Sequence, residues 1–453
     1  MKLVKSLLLG SAAGFAAVAG AQAADLPSRK AAPVEYVRVC TAYGSGFFYI
    51  PGTDSCLRIG GRLRAEYTFG ERWGDLQDSY GTRARGRLNV DLRTATAYGT
   101  LRTFIRYDVT ISSGAYGYGA LNSGAIFANG ARGAAASTVI NLDKGFIQFG
   151  PITAGRAQSF FDFYANDLGF SSLRGSDTSP NLLAYTATFG SGFSATISLE
   201  DRAVGRDATV RNALAFGSNI VLEGQQYPDL VGALNVTQGW GSAQLSGAIG
   251  QRSTASIPAG VVGFAPQVGD DEVVWAIQGG LKFNLPMLAA GDVLWLQAAY
   301  AEGANSYLGY GSAFGYGRLG SLTAADIVVD PTNGRSKLTK GWAIVAGLKH
   351  YWTPTIRSEV YGSYSELDMG AAVQPAVLGA GVNAVKLDPK EFIIGTNLVW
   401  TPVSGLDIGV EVLYSKVELK NRILAVDNFG NRTGFLIKSD DALTGRLRIQ
   451  RDF

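Results

Sequence analysis

Arginines fall at even spacing along the first third of this 453-residue chain: Arg58, Arg62 and Arg64, then Arg83, Arg85 and Arg87, then Arg102 and Arg106, with Arg156 further on. A guanidinium keeps its charge at ordinary pH, so these side chains cannot shuttle protons. They can hold a fixed positive field in which polar molecules align their dipoles. Just past Arg156 runs Phe160-Phe161-Asp162-Phe163-Tyr164-Ala165-Asn166-Asp167-Leu168, continuing to Asp177 and Pro180. This stretch is too apolar for a solvent-exposed loop. Folded inward, it would pack its aromatics on a wall and turn carboxylates toward the arginines. Two plainer readings stand beside this one. The arginines could pair with Glu66, Asp91 and Asp108 as wall-stabilising ion pairs, and the aromatic stretch could cap a subunit contact.

Bond-making chemistry is poorly supplied. His350 is the only histidine, and alternation with Trp342, Ile344, Ala346, Leu348 and Trp352 gives it an apolar face beside aromatic neighbours. No Gly-x-Ser-x-Gly elbow, Walker-type loop, His-Glu-x-x-His or calcium loop is present. Neither a catalytic residue nor a cofactor is therefore expected. The two cysteines, Cys40 and Cys56, could form a disulfide, remain as buried thiols, or supply half of a metal site. An oxidising compartment favours the disulfide, and two cysteines with a distant histidine are too few for a metal centre.

The elements that position the arginines follow from period-two alternation. Arg83, Arg85, Arg87, Asn89, Asp91 and Arg93 share one face, with Ala84, Gly86, Leu88, Val90 and Leu92 on the other. Phe193, Ala195, Ile197 and Leu199 oppose Ser194, Thr196, Ser198 and Glu200 in the same way. Helical spacing would scatter such arginines around a cylinder, whereas strand spacing puts them on one side. About sixteen such segments occur, starting near 56, 83, 100, 139, 151, 182, 193, 228, 241, 272, 292, 341, 355, 390, 405 and 442.

Short turns, such as 97–99, 150–151, 190–192, 239–241, 353–354 and 402–404, alternate with long connections at 111–137, 202–227, 302–340 and 368–389. Trp240, Trp352 and Trp400 sit beside short turns, where an interfacial aromatic girdle would lie. The reading is an all-β chain: a transmembrane antiparallel up-and-down barrel of 16 strands, apolar outside and polar inside. Arg62, Arg64, Arg85, Arg87, Arg106 and Arg156 are then the candidate basic residues of its constriction. Asp162, Asp167 and Asp177, on an inward loop at about 160–181, are the candidate acidic ones.

Lys2 and Lys5, the apolar run to Ala19 and the small-x-small triplet Ala21-Gln22-Ala23 predict a secretory signal peptide over 1–23, followed by one barrel over 24–453. Its removal takes away two lysines and no acid, so a net charge of +3 becomes +1. A nearly neutral chain gives no signal for nucleic acid. The expected partners are outer-membrane lipid and lipopolysaccharide outside the wall, and ions and small hydrophilic solutes inside it.

Val34-Glu35-Tyr36-Val37-Arg38-Val39-Cys40, the run Gly46 to Cys56, Ile59-Gly60-Gly61 and Gly155-Arg156-Ala157-Gln158-Ser159-Phe160-Phe161-Asp162 resemble the alphaproteobacterial (rhizobial-type) porins, and the similarity runs over the whole chain. The resemblance implies a sixteen-stranded homotrimeric porin for small hydrophilic solutes, with its third external loop folded into the pore. It also implies that Arg156 is the constriction arginine just before that loop, and that Phe453, a C-terminal aromatic, is the assembly signal usual in such barrels. A substrate-specific channel is the alternative.

Overall fold

The computed structural model describes residues 38–70, 79–114, 136–203, 224, 226–258, 267–310, 319, 322, 324–329, 334–370, 386–426 and 432–453. The signal peptide expected over 1–23 and most of the connections expected at 111–137, 202–227 and 368–389 lie outside these residues.

Among the described residues, those up to Cys56 form one compact unit and those from Leu57 to Phe453 another. In the first, Val39 bridges Phe48 in the strand β1 (Phe48–Tyr49), and the Cys40 amide donates to the Phe47 carbonyl at 2.9 Å. Cys40 and Cys56 are disulfide-bonded, with Cα atoms 6.0 Å apart, and are buried together with Phe47.

The second unit is a β-barrel. Its strands are β2 (Ser55–Gly70), β3 (Tyr80–Thr96), β4 (Gly99–Gly114), β5 (Ala136–Phe149), β6 (Ile152–Arg156), β7 (Asn181–Gly190), β8 (Phe193–Glu200) and β9 (Asp229–Gln238). They continue as β10 (Gly241–Thr254), β11 (Asp270–Asn284) and β12 (Val293–Glu302). A small hairpin of β13 (Ile327–Val329) and β14 (Ser336–Leu338) intervenes before β15 (Lys340–Thr353), β16 (Ile356–Asp368), β17 (Lys390–Val403), β18 (Leu406–Val426) and β19 (Arg432–Asp452). Each barrel strand pairs with its neighbours in sequence, across the hairpin as well, and β19 pairs with β2. Among the described residues, sixteen strands thus close on themselves.

Closure is what allows a sheet to cross hydrocarbon, because no strand edge is left with unmatched N–H and C=O groups. Alternation then sorts the side chains. On β11, Val273, Trp275, Ile277 and Leu281 are exposed outward, while Val274, Ala276 and Gln278 are buried inward. Outward exposure of large apolar residues destabilises a protein in water but is favourable against lipid. Tight turns join the strands at one end. Between β7 and β8, Ser191 and Gly192 both have positive φ (50° and 80°), which matches the twist of a two-residue hairpin. Trp240, Trp352 and Trp400 are exposed beside such turns. No helix among the described residues is long and apolar enough to cross a membrane.

The seam is closed by the chain end. Phe453 and Gly61 exchange backbone hydrogen bonds (2.8 and 3.0 Å), and the Phe453 ring lies where a Cβ on residue 61 would be, 2.6 Å from Cζ.

Candidate functional site

The inner face of β2–β5 carries the arginines, and their partners sort them into two groups. Arg87 forks onto Asp108 with two bonds of 2.7 Å. Arg93 and Arg102 both fork onto Asp91. Arg83 and Arg448 converge on Glu66, with Arg448 Nε at 2.8 Å. Arg62 reaches Asp452 at 2.5 Å. Such pairs neutralise part of the wall and fix neighbouring strands in register. Arg64 and Arg85 instead donate to neutral acceptors, Gln450 Oε1 at 2.9 Å and Thr110 Oγ1 at 3.0 Å.

A bulge supplies the acid that faces these arginines. The β4–β5 register steps from Arg106↔Lys144 to Tyr107↔Leu142, leaving Asp143 as the extra residue. The Asp143 carboxylate lies 3.4 Å from Arg106 and 3.5 Å from Arg87, and its backbone carbonyl accepts from Arg156 Nε at 3.2 Å. Arg156 ends β6 after Gly155, whose φ of 117° turns the chain off the wall.

The segment 157–180 then crosses the lumen, and its backbone polar groups are met by the far walls. Gln244 and Ser246 of β10 and Gln278 of β11 donate to the carbonyls of Phe160–Asp162 at 2.8–3.2 Å. Gln297 of β12 accepts the Tyr164 amide at 2.9 Å. Glu359 of β16 accepts the Gly169 amide at 2.7 Å, and Glu411 of β18 accepts the Phe170 amide and the Ser171 hydroxyl. Arg174 pairs with Glu391 of β17, while Arg446 and Arg448 of β19 donate to the Phe170 carbonyl. A buried loop must satisfy its polar backbone, and here wall side chains do so strand after strand. Apolar packing adds to this, with the Phe161, Tyr164 and Leu168 side chains buried in the inner core.

A second segment, from the connection expected at 302–340, also packs inside. A 3-10 turn over Asn305–Leu308 is buried; Tyr307 Oη donates to Asp229 at 3.0 Å, and its ring meets Phe161 at 4.6 Å. Tyr310 bonds Ser365 and lies under the Arg174 guanidinium, 4.4 Å from its ring centroid.

What stays open is a cavity of about 1120 Å³ between the arginine wall and the crossing loop. Arg62, Arg64, Arg85, Arg87, Arg106 and Arg156 all line it, as do Asp167 and Asp177. Asp162 does not; it is buried and accepts from Gln158 Nε2 (2.5 Å), the Thr178 amide (2.7 Å) and the Ser176 hydroxyl, tying the two limbs of the loop together. Asp177 accepts from Gln158 and Asn166, both at 3.1 Å; burial, with the nearby Asp162 charge, pushes its carboxyl above the usual carboxylate range. Ten of the lining side chains are Arg or Lys and six are Asp or Glu. Lys144, Arg357, Arg448, Asp143 and Asp407 belong to this lining and were not singled out from the sequence. Alternation along β5, β16, β18 and β19 carried their orientation, but only the barrel's closure brings these strands around one cavity.

His350 bonds Asp292 at 2.6 Å and lies edge-on to Trp352 at 4.6 Å, at the girdle end of β15. No group of three or more metal-binding side chains occurs among the described residues.

Comparison with known proteins agrees with this architecture. Porin Omp2b of Brucella canis is 29% identical over 460 aligned residues, covering 99% of both chains, and porin Omp2b of Brucella melitensis matches to the same extent. In fold, the chain is similar to the outer membrane channel DcaP of Acinetobacter baumannii, with a TM-score of 0.61 at 17% identity, over 89% of this chain and 99% of that one. The porin subfamily model matches residues 25–446. A match of that extent places the chain in the porin subfamily, and its barrel is an outer-membrane channel.

Proposed function

We propose that the channel works by passive diffusion, screening ions and small hydrophilic solutes by size and charge at the waist between the arginine wall and residues 157–180. The observation that carries this reading is the open, charged cavity beside a loop bonded to seven of the opposite strands. Confined water screens charge less than bulk water does, so each lining charge acts on a passing ion. Residues 1–23 direct export and are removed. The mature chain acts as a homotrimer among lipid and lipopolysaccharide, and it performs no catalysis. His350 is held by Asp292 beside Trp352, a setting for an interfacial anchor more than a general base.

Single-channel recording in a planar bilayer tests the diffusion reading. Conductance should rise nearly linearly with potassium chloride concentration; a closed barrel would refute it. A compact oligomer that shifts to monomer on boiling is the expected gel behaviour, and identical mobility before and after boiling would remove the trimer. A second reading, a channel with a dedicated solute site, is favoured by the cationic excess of the lining and by the arginines that lack carboxylate partners.

A further inference from the structure

The inner wall pairs most of its arginines with carboxylates and leaves two neighbours, Arg64 and Arg85, without an ion pair, as it does Arg156 on β6. Arg83, Arg87, Arg93, Arg102 and Arg62 each meet a carboxylate. Arg64 and Arg85 bond only to a carboxamide and a hydroxyl, each through Nε, and neither forms an ion pair among the described residues. Strands β2 and β3 are hydrogen-bonded neighbours, and the contact of Arg83 with Glu66 sets their offset, two residues further along on each strand bringing Arg64 alongside Arg85. The two positive charges lie within each other's field, and both side chains line the open cavity.

Two guanidinium groups side by side repel, and Glu66 and Asp108 offset this only from beyond ion-pair distance. Each keeps its terminal N–H donors available to the cavity while Nε is held by a fixed neutral partner. A planar fork held in place by one bond loses little further freedom when it grips an oxyanion. The flanking acids are already engaged: Glu66 by Arg83 and Arg448, and Asp108 by Arg87.

We propose that Arg64 and Arg85 form an oxyanion-binding station in the channel, selecting solutes that carry a phosphate or carboxylate group over neutral solutes of the same size. This rests on the channel reading above and adds a saturable site to it. Arg62 and Arg87, each committed to its own acid, contribute field but not the grip.

The test is single-channel recording of the purified full chain in potassium chloride at neutral pH, with inorganic phosphate and, separately, acetate added. Phosphate should reduce the chloride current along a saturating curve, acetate more weakly. In Arg64→Gln/Arg85→Gln the half-blocking phosphate concentration should rise about tenfold or more, as expected when charge-assisted hydrogen bonds to an anion are lost. Arg93→Gln, which removes a lumen-side charge outside the cavity, should block like the parent. If the double variant does not reach a folded barrel, Arg64→Lys/Arg85→Lys keeps the charge but not the fork and should weaken phosphate block alone. A conducting parent without saturable block, or a double variant that blocks like the parent, overturns the station and leaves the diffusion channel standing. A parent that does not conduct overturns both.

Discussion

Gly169 and Glu359 are 190 residues apart in sequence, yet the Gly169 amide donates to the Glu359 carboxylate at 2.7 Å. This bond fastens the tip of the crossing loop to the wall opposite its root, and Glu411 repeats the arrangement one residue later.

Removing both anchors should widen the channel. Glu359→Ala/Glu411→Ala leaves buried donors of residues 169–171 without acceptors, each at a cost of about 1–3 kcal/mol. The expected result is higher single-channel conductance with more open-channel noise, from a barrel that still folds. A quiet channel of parental conductance would mean that the remaining bonds to Arg446, Arg448 and Gln297 hold the loop unaided.

The three loop aspartates should separate in their effects. Asp167→Asn/Asp177→Asn should move the reversal potential in a salt gradient toward anion preference, since both residues line the cavity. Neutralising Arg87, Arg106 and Arg156 should move it toward cations. Asp162→Asn should act on loop order instead, because its carboxylate ties residues 158, 176 and 178 together. A selectivity shift from Asp162→Asn as large as that from the other two, with conductance unchanged, would contradict this division.

Selectivity should also depend on mild acid. The Asp177 carboxyl is raised by burial and by the Asp162 charge, so it takes up its proton at a higher pH than an ordinary aspartate. As pH falls from neutral, the lumen loses this negative charge at a higher pH than that of an ordinary aspartate, and anion preference should grow as it does. Reversal potentials measured from pH 8 to 4 in the parent and in Asp177→Asn check the assignment. The early step should be missing in the variant; its survival there would place the titration elsewhere.

Much of the wall was legible in the sequence. Most strand starts fall within a few residues of those expected from alternation. The last one does not: β19 begins at Arg432 against an expected start near 442. There β18 and β19 carry Lys420, Asn421, Arg422 and Lys438, so the apolar face that marks a strand inside hydrocarbon is gone while pairing continues. The inward faces were legible too, because period two assigns a side to each arginine. Partners across the lumen were not. Glu359, Glu391 and Glu411 read as ordinary polar positions, and Tyr307 and Tyr310 sit in a glycine-rich stretch without periodicity. Their roles arise only when closure brings strands far apart in sequence around one loop.

Deleting Phe453 should lower the amount of folded protein while leaving the conductance of the folded fraction unchanged. Its backbone completes the seam with Gly61, and it has no bond to the crossing loop among the described residues. Gly61→Val should mimic the deletion, since a Cβ there meets the Phe453 ring. Heat-modifiable mobility measures yield and bilayer recording measures conductance; a normal yield from the deletion would remove Phe453 from assembly.

The final strand carries a double duty. Arg446 and Arg448 grip the Phe170 carbonyl, and a few residues later the same strand shuts the wall against β2. Latch and aperture are therefore inherited together. A substitution in this strand that shifts how the barrel closes will also shift the loop that narrows the lumen.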